Sequence, residues 1–386
     1  MKKILFVINH MNIGGIQKAL VELLKSIDGK YDIYLLSIRS DGVLMDDIPS
    51  SVHILKASNP LLATELAKEE ARRLSWSAYW IRIFAALWSK LVNRKLPAYL
   101  ITKYLQKSLG KFDVAISYTQ PIGCKKLFNL SNEVVLNSCR AQKKISFIHC
   151  DFANYGGNDA VNREIYKKMD MIAAVSESVG KCLIEQIPEV EGKVVTVRNC
   201  CDSNHIISLA NEETVFYKEK YPIVTVARLS EEKGLVRCVS MIAKMKAEGF
   251  DVKWHIIGSG PEEQKMKNEI VQCKAEGCVI LHGEQKNPYR YLKNAKLFLL
   301  PSYHEAAPMV FDEARCLGIP ILSTETTSAI EMVEKRGAGW VCKTDDNSLL
   351  QQLKSVLHDL DTFSIALQDN TQDNTPLYQF ISMIEQ

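Results

Sequence analysis

The stretch Ile223–Pro261, IVTVARLSEEKGLVRCVSMIAKMKAEGFDVKWHIIGSGP, decides the fold. Ile223–Ala227 is an apolar run of strand length, and a charged loop, Arg228–Gly234, follows it. Leu235, Val239, Ile242 and Met245 then recur at the spacing that lines one face of a helix. Val252–Ile257 reads as a second strand, ending in Gly258-Ser259-Gly260-Pro261. Strand, loop, helix and strand in that order form a crossover unit, which belongs to a parallel, doubly wound sheet.

The alternation continues on both sides. Downstream, Val279–His282, Leu297–Leu300, Ile319–Ser323 and Trp340–Cys342 read as strands. Pro308 opens a helix there, where a residue without an N–H is tolerated. Upstream, a second series runs through Ile4–Ile8, Ile33–Ile38, Val114–Ser117, Ile145–Ile148, Met171–Val175 and Val194–Val197. Its first strand leads into helical spacing at Ile16, Leu20, Leu23, Leu24 and Ile27. Two such series in 386 residues imply an α/β chain of two Rossmann-like, doubly wound parallel-sheet domains. The polar, weakly periodic stretch 204–221 separates them, so the expected domains are 1–205 and 206–375. Leu377, Phe380, Ile381 and Ile384 predict a closing helix over 376–386, expected to pack back on the first domain.

A hydrophobic fraction of 47% and a charged fraction of 24% fit a soluble globular chain. A net charge of +3 excludes a polyelectrolyte partner of nucleic acid. The apolar run after Met1-Lys2-Lys3 ends at Asn9-His10 with no small-residue cleavage site, which favours a buried strand over a signal peptide. No run reaches the ~18 apolar residues that span a bilayer. Eleven cysteines in such a chain imply reduced thiols in a cytoplasm. Cys200-Cys201 and Cys273/Cys278 lack zinc spacing, and Asp359-Leu360-Asp361 lies far from the other motifs, so no metal site is expected.

Several motifs lie where ligands meet such sheets, beyond the carboxyl ends of the strands. Gly14-Gly15 stands between the first strand and its helix and allows close backbone approach to a phosphate or sugar, although a tight turn alone also accounts for it. It is not a GxGxxG, and Arg39 rather than an acid closes the second strand, which weakens a dinucleotide reading. Arg228 and Lys233 place two cations in one loop: the arginine can fork onto a diphosphate while the lysine supplies a point charge. Glu305 lies in the loop after Leu297–Leu300, and Glu313 in the second turn of the helix that Pro308 opens. The N–H groups of that helix start are free for phosphate. His149 follows Ile145–Ile148, with Asp151 two residues on as a possible orienting partner.

Together these residues closely resemble family 4 of the retaining glycosyltransferases, with the GT-B fold, and most closely bacterial members that build capsular, exopolysaccharide or lipopolysaccharide chains. The similarity is strongest over Leu281–Glu331, with His282-Gly283, Asn287-Pro288-Tyr289, Asn294-Ala295, Leu300-Pro301-Ser302, the Glu305/Glu313 pair and Leu317-Gly318-Ile319-Pro320. Gly14-Gly15, Ile148-His149, Val175-Ser176 and Asn199 precede it in the family's order. The resemblance implies two domains facing across a cleft. It also implies a catalytic set of Glu305, His149, Arg228 and Lys233, with a donor-binding set of Gly14, Gly15, Arg228, Lys233, Gly258, Glu284, Pro308, Met309, Val310 and Glu313. Arg228 and Lys233 would hold the donor diphosphate, Glu313 the ribose and Glu305 the transferred sugar. A UDP-sugar donor, no metal and no cofactor are expected. Ala306 stands where the family usually has glycine, so the sugar subsite is shaped differently.

The acceptor implied is a glycan or a polyprenyl-diphosphate-linked saccharide. The segment Lys68–Lys111 carries ten Lys/Arg, two Glu, and Trp76, Trp80 and Trp88. It reads as a peripheral contact with an anionic membrane on the cytoplasmic side. The same stretch would also serve as a helical pair packed on the first sheet with a solvated basic face. The competing functions are a non-catalytic nucleotide-sugar-binding partner of another transferase and a sugar epimerase of the same fold.

Overall fold

The computed structural model describes residues 1–366 and 373–386, apart from the side chains at 361, 362 and 364–366. Asp361, in the acidic pair noted above, therefore lies outside the described side chains. The chain divides into two compact units, Met1–Cys200 with Asn374–Gln386, and Cys201–Asp373.

The first unit holds seven strands: β1 (Lys3–His10), β2 (Asp32–Arg39), β3 (His53–Leu55), β4 (Lys111–Ser117), β5 (Arg140–Ile148), β6 (Met171–Ala174) and β7 (Val194–Thr196). Their order is β3-β2-β1-β4-β5-β6-β7, with every pairing parallel. Ile4, Leu5, Phe6, Val7 and Ile8 of β1 are all fully buried, because a central strand of a parallel sheet is covered on both faces. That is why it reads as an unbroken apolar run. The edge strand β3 was not anticipated: it has three residues, two of them exposed, and carries no apolar run to read. The closing helix, Thr375–Glu385, belongs to this unit. Phe380 stacks on Phe6 with ring centroids 6.0 Å apart, and Lys2 Nζ meets Glu385 at 2.6 Å.

The second unit holds β8 (Tyr221–Val226), β9 (Val252–Ile257), β10 (Val279–Leu281), β11 (Leu297–Leu300), β12 (Ile321–Thr324) and β13 (Gly339–Cys342). Their order is β10-β9-β8-β11-β12-β13, again all parallel. The chain passes into this unit at Cys201, earlier than the expected 205/206. The polar stretch opens on a helix, Ser203–Asn211, started by the Asp202 carboxylate accepting from the His205 N–H at 2.9 Å. Only Ile206 and Ala210 of that helix are buried, so its periodicity is faint.

The basic segment 68–111 forms helices Lys68–Leu74, Trp76–Leu91 and Lys95–Leu100, not a pair. The longest of them packs through small residues, Ala78, Ala85 and Ser89. Its large apolar side chains stay outside: Trp76, Trp80, Phe84, Leu87, Trp88 and Leu91 are each about half exposed or more. One basic residue of the segment turns inward. Arg94 is fully buried, donating from Nε to Glu133 (2.9 Å), from Nη1 to the Ile122 carbonyl (2.6 Å) and from Nη2 to Asn162 (2.8 Å).

Candidate active site

In each sheet the strand order reverses once, between β1 and β4 and between β8 and β11. A crevice opens beyond the carboxyl ends of such a strand pair, because the connections on either side run to opposite faces. Each unit carries its share of the sequence motifs there.

In the first unit, Gly14 caps the helix Gly15–Ile27 that follows β1. A side chain on Gly15 would meet nothing within 4 Å, and one on Gly14 would meet only the movable amide of Gln17. Packing therefore does not demand glycine at either position. At Gly42 it does, since a Cβ there would fall 2.1 Å from the Met11 backbone. Open space at Gly15 is what a closely approaching ligand needs. His149 follows β5 and is turned into an aromatic nest, its ring 5.0 Å from Tyr118 and 5.7 Å from Phe147. Its backbone N–H donates to the Gln120 side-chain oxygen at 3.2 Å. Its ring Nε2 is buried with no hydrogen-bond partner. Burial holds its pKa down at about 3 despite a hydrogen bond to the Tyr118 backbone, so the imidazole is neutral at ordinary pH. Asp151 does not orient it; that carboxylate caps the following turn, accepting from the Ala153 N–H at 3.0 Å and from Asn154 at 2.9 Å.

In the second unit, the loops after β8 and β11 are fastened together at the reversal point. Lys233 Nζ lies 2.5 Å from Glu305 Oε1, which also accepts from the Ser302 hydroxyl at 2.7 Å. The Tyr303 N–H donates to the Glu232 carbonyl at 2.8 Å. Arg237 donates to the Pro301 carbonyl at 2.8 Å and stacks over the Tyr303 ring at 4.2 Å. Gly234 sits at φ +62° with the Pro301 oxygen 2.4 Å from where a Cβ would stand, so glycine is required on both counts. Arg228 is exposed, and its guanidinium makes no hydrogen bond or ion pair among the described residues. The two cations thus differ: Arg228 is open to an anion, whereas Lys233 is already neutralised by Glu305.

Gly258, after β9, has φ +143°, and a Cβ would lie 1.9 Å from the Ala227 oxygen. Its role in this structure is to let the β9 loop press against the loop that carries Arg228. Glu284 is exposed and accepts from Ser259 at 3.3 Å. Pro308 caps the helix Met309–Cys316, whose first residues Met309 and Val310 are half-buried. On that helix the adjacent acids divide their tasks. Asp312 is buried in an ion pair with Arg336 at 2.7 Å. Glu313 is buried and accepts from the Tyr289 hydroxyl at 3.2 Å. His282, part of the motif run, turns into the sheet: its Nε2 is 3.0 Å from Nδ1 of His255, whose Nε2 is 2.5 Å from Glu219. Burial lowers the pKa of both imidazoles.

Sequence reading left out Tyr289, Ser302, Arg237 and Tyr303 as parts of this constellation. Ser302 and Tyr289 lay within quoted motifs and could have been assigned. Arg237 could not, because a cation in the first turn of a helix carries no signal of its tertiary partners.

The chain is similar to known glycosyltransferases in fold and in part of its sequence. Residues 208–373 match the family described as glycosyl transferases group 1. The putative colanic acid biosynthesis glycosyltransferase WcaL of Escherichia coli (strain K12) is 32% identical over 37% of this chain and 37% of its own length. The amylovoran biosynthesis glycosyltransferase AmsK of Erwinia amylovora is 35% identical over 33% of each. The chain thus spans about a third of the length of these relatives. A longer match, 24% identical over 93% of this chain and 91% of the relative, is to a Campylobacter jejuni enzyme. That protein is named N-acetylgalactosamine-N,N'-diacetylbacillosaminyl-diphospho-undecaprenol 4-alpha-N-acetylgalactosaminyltransferase. Among solved structures, Anabaena HepE in complex with UDP superposes with a TM-score of 0.68 at 14% identity, covering 99% of both chains. Staphylococcus aureus TarM does so with a TM-score of 0.69 at 14% identity, covering 100% of both. The fold is therefore the GT-B fold, and residues 208–373 match the glycosyl transferases group 1 family.

Proposed function

We propose that the protein is a retaining, metal-independent glycosyltransferase that moves a sugar from a UDP-sugar to a glycan or polyprenyl-diphosphate-linked acceptor in surface polysaccharide synthesis. The observation that carries this reading is the Lys233–Glu305 pair at the reversal of the second sheet, with exposed Arg228 beside it and buried Glu313 on the next helix. Arg228 takes the donor diphosphate first. Lys233 then shares its charge between Glu305 and the phosphate, stabilising the negative charge that grows as the diphosphate leaves. Glu313, already held by Tyr289, accepts from the ribose hydroxyls. Glu305 accepts from a hydroxyl of the transferred sugar. A retaining hydrolase places two carboxylates across the sugar, one as nucleophile; with Glu313 on the ribose, a same-face displacement serves instead, the leaving phosphate taking the acceptor's proton. The names of the relatives supply the acceptor class.

The reading is tested by incubating the protein with nucleotide sugars and measuring release of the nucleoside diphosphate, with free UDP and GDP as competitors. UDP-sugar turnover and competition by UDP are expected; a clear preference for GDP rejects the uridine donor, and no release from any nucleotide sugar rejects the enzyme. Transfer is expected to persist in EDTA, because Arg228 and Lys233 supply the positive charge that a divalent ion would bring to the diphosphate. Complete loss in EDTA, restored by manganese, contradicts this.

The proposal extends to the membrane. No helix among the described residues is long and apolar enough to cross one. Trp76, Trp80, Phe84, Leu87, Trp88 and Leu91 instead form an exposed ridge, flanked by exposed Arg72, Arg73, Lys90 and Lys95. A patch of that kind marks an interaction surface. Tryptophans at a headgroup layer with cations against anionic lipid fit it, each cation contributing ~1 kcal/mol near the surface. The protein is expected to sediment with anionic liposomes at low salt. Gln at Arg72, Arg73, Lys90 and Lys95 should release it without unfolding it. Arg94 does not belong in that set, since it is buried. Wild-type protein that stays in the supernatant at low salt rejects the membrane reading.

A further inference from the structure

None of the eleven cysteines is in a disulfide, and two of them meet in the second unit. Cys201, half-buried, is the first residue of that unit, and Cys316 is the last residue of the helix that carries Glu313. Their sulfurs are 3.7 Å apart, and the Ser203 hydroxyl lies 3.0 Å from the Cys316 sulfur. The hydrogen bonds from Cys201 and Ser203 lower the pKa of Cys316, while the same contact and burial raise that of Cys201. Cys316 is thereby the more acidic of the two thiols. The Asp312 and Glu313 carboxylates are close enough to act electrostatically on Cys201. Glu313 also stands three residues before Cys316, on the same side of the helix. The thiol pair therefore adjoins the carboxylate assigned to the ribose.

We propose that Cys201 and Cys316 form a peroxide-oxidised, reversible disulfide that weakens nucleotide binding at Glu313; the second half of this rests on the donor-site reading above. The Cys316 thiolate attacks hydrogen peroxide, breaking the O–O bond to give a sulfenic acid and hydroxide, which takes up a proton to become water. The Cys201 sulfur then attacks the sulfenic sulfur, forming the S–S bond and expelling the hydroxyl as water with the Cys201 proton. Two thiols are oxidised, and one peroxide is reduced to two waters. A dithiol reductant reverses the step by exchange. Bond formation closes the sulfurs to about 2.05 Å, which draws the end of the Met309–Cys316 helix toward the chain at 201–203 and shifts Glu313 with it.

The test uses the full chain carrying Cys200→Ser, so that the neighbouring cysteine does not confuse the linkage. Protein treated with hydrogen peroxide is digested and the linked peptides are identified by mass, and UDP affinity is measured before treatment, after it and after dithiothreitol. A peptide joining Cys201 to Cys316 is expected, together with a fall in UDP affinity of tenfold or more that dithiothreitol restores. Further replacement of Cys201 or Cys316 by Ser should leave the reduced affinity in place and abolish both the linkage and the fall. Absence of the linkage overturns the proposal, and so does a linkage with unchanged UDP affinity. Reduced protein that never binds UDP overturns the donor-site reading and the regulatory half with it, while the linked peptide still decides the thiol pair.

Discussion

Lys233→Ala is expected to lower turnover by about a hundredfold or more, the loss typical of one preorganised charge contact to a developing anion. The substitution acts twice. On the proposed donor-site reading it removes the cation that would meet the leaving diphosphate, and it leaves Glu305 Oε1 with Ser302 as its remaining donor, 2.7 Å away. The excess negative charge then faces the diphosphate directly. Glu305→Gln should behave in the opposite sense at the binding step. Without its partner at 2.5 Å, Lys233 gives its full charge to the phosphate, so UDP should bind up to about fivefold tighter, the equivalent of ~1 kcal/mol for a partly exposed pair. Turnover should fall, because a neutral amide oxygen is a weaker acceptor for the sugar hydroxyl than a carboxylate. Steady-state kinetics and calorimetric UDP titration check both variants. If Glu305→Gln abolishes UDP binding, the roles of Glu305 and Glu313 must be exchanged or dropped.

Arg94→Ala is expected to destabilise the first unit by about 3–5 kcal/mol, the cost of stripping one partner from a buried ion pair. Its guanidinium joins Glu133, Ile122 and Asn162, and Glu133 Oε2 is already buried without a partner. Removing the cation leaves that carboxyl group buried without its ion pair. Replacing both members, as Arg94→Met with Glu133→Leu, should recover much of the loss, since paired apolar groups carry no desolvation penalty. Denaturant unfolding measures both. A single-variant loss below about 1 kcal/mol would mean that water reaches Glu133 and that the pair is not buried in solution.

The central strands β1 and β11 were legible because their buried residues are consecutive and apolar. Both lie inside parallel sheets covered on both faces, so burial writes itself into consecutive residues of one type. The crossover order then implied the doubly wound sheets, and the glycines and charges after the strands marked their carboxyl ends. The sequence by itself thus determined the two-sheet α/β class, the placement of Arg228, Lys233, Glu305 and Glu313 beyond the strands of the second sheet, and the basic aromatic character of 68–111. Short range is the limit of that reading, because periodicity reports only what one element buries.

Partnership across elements was decided by the tertiary structure. Asp312 and Glu313 are adjacent acids on one helix, yet packing gives the first to Arg336 and the second to Tyr289. Arg94 and Lys95 are adjacent cations in one basic run, yet one is buried and the other exposed. His149 became a neutral ring because Tyr118 and Phe147, from a neighbouring strand end and its own strand, enclose it. Lys233 became a paired cation because β8 and β11, far apart in the chain, are neighbours in the sheet and bring Glu305 to it. In each case the residue type was visible along the chain, but its charge state and partner depend on Coulomb and desolvation energies. These are set by distances that exist only once the strands have paired.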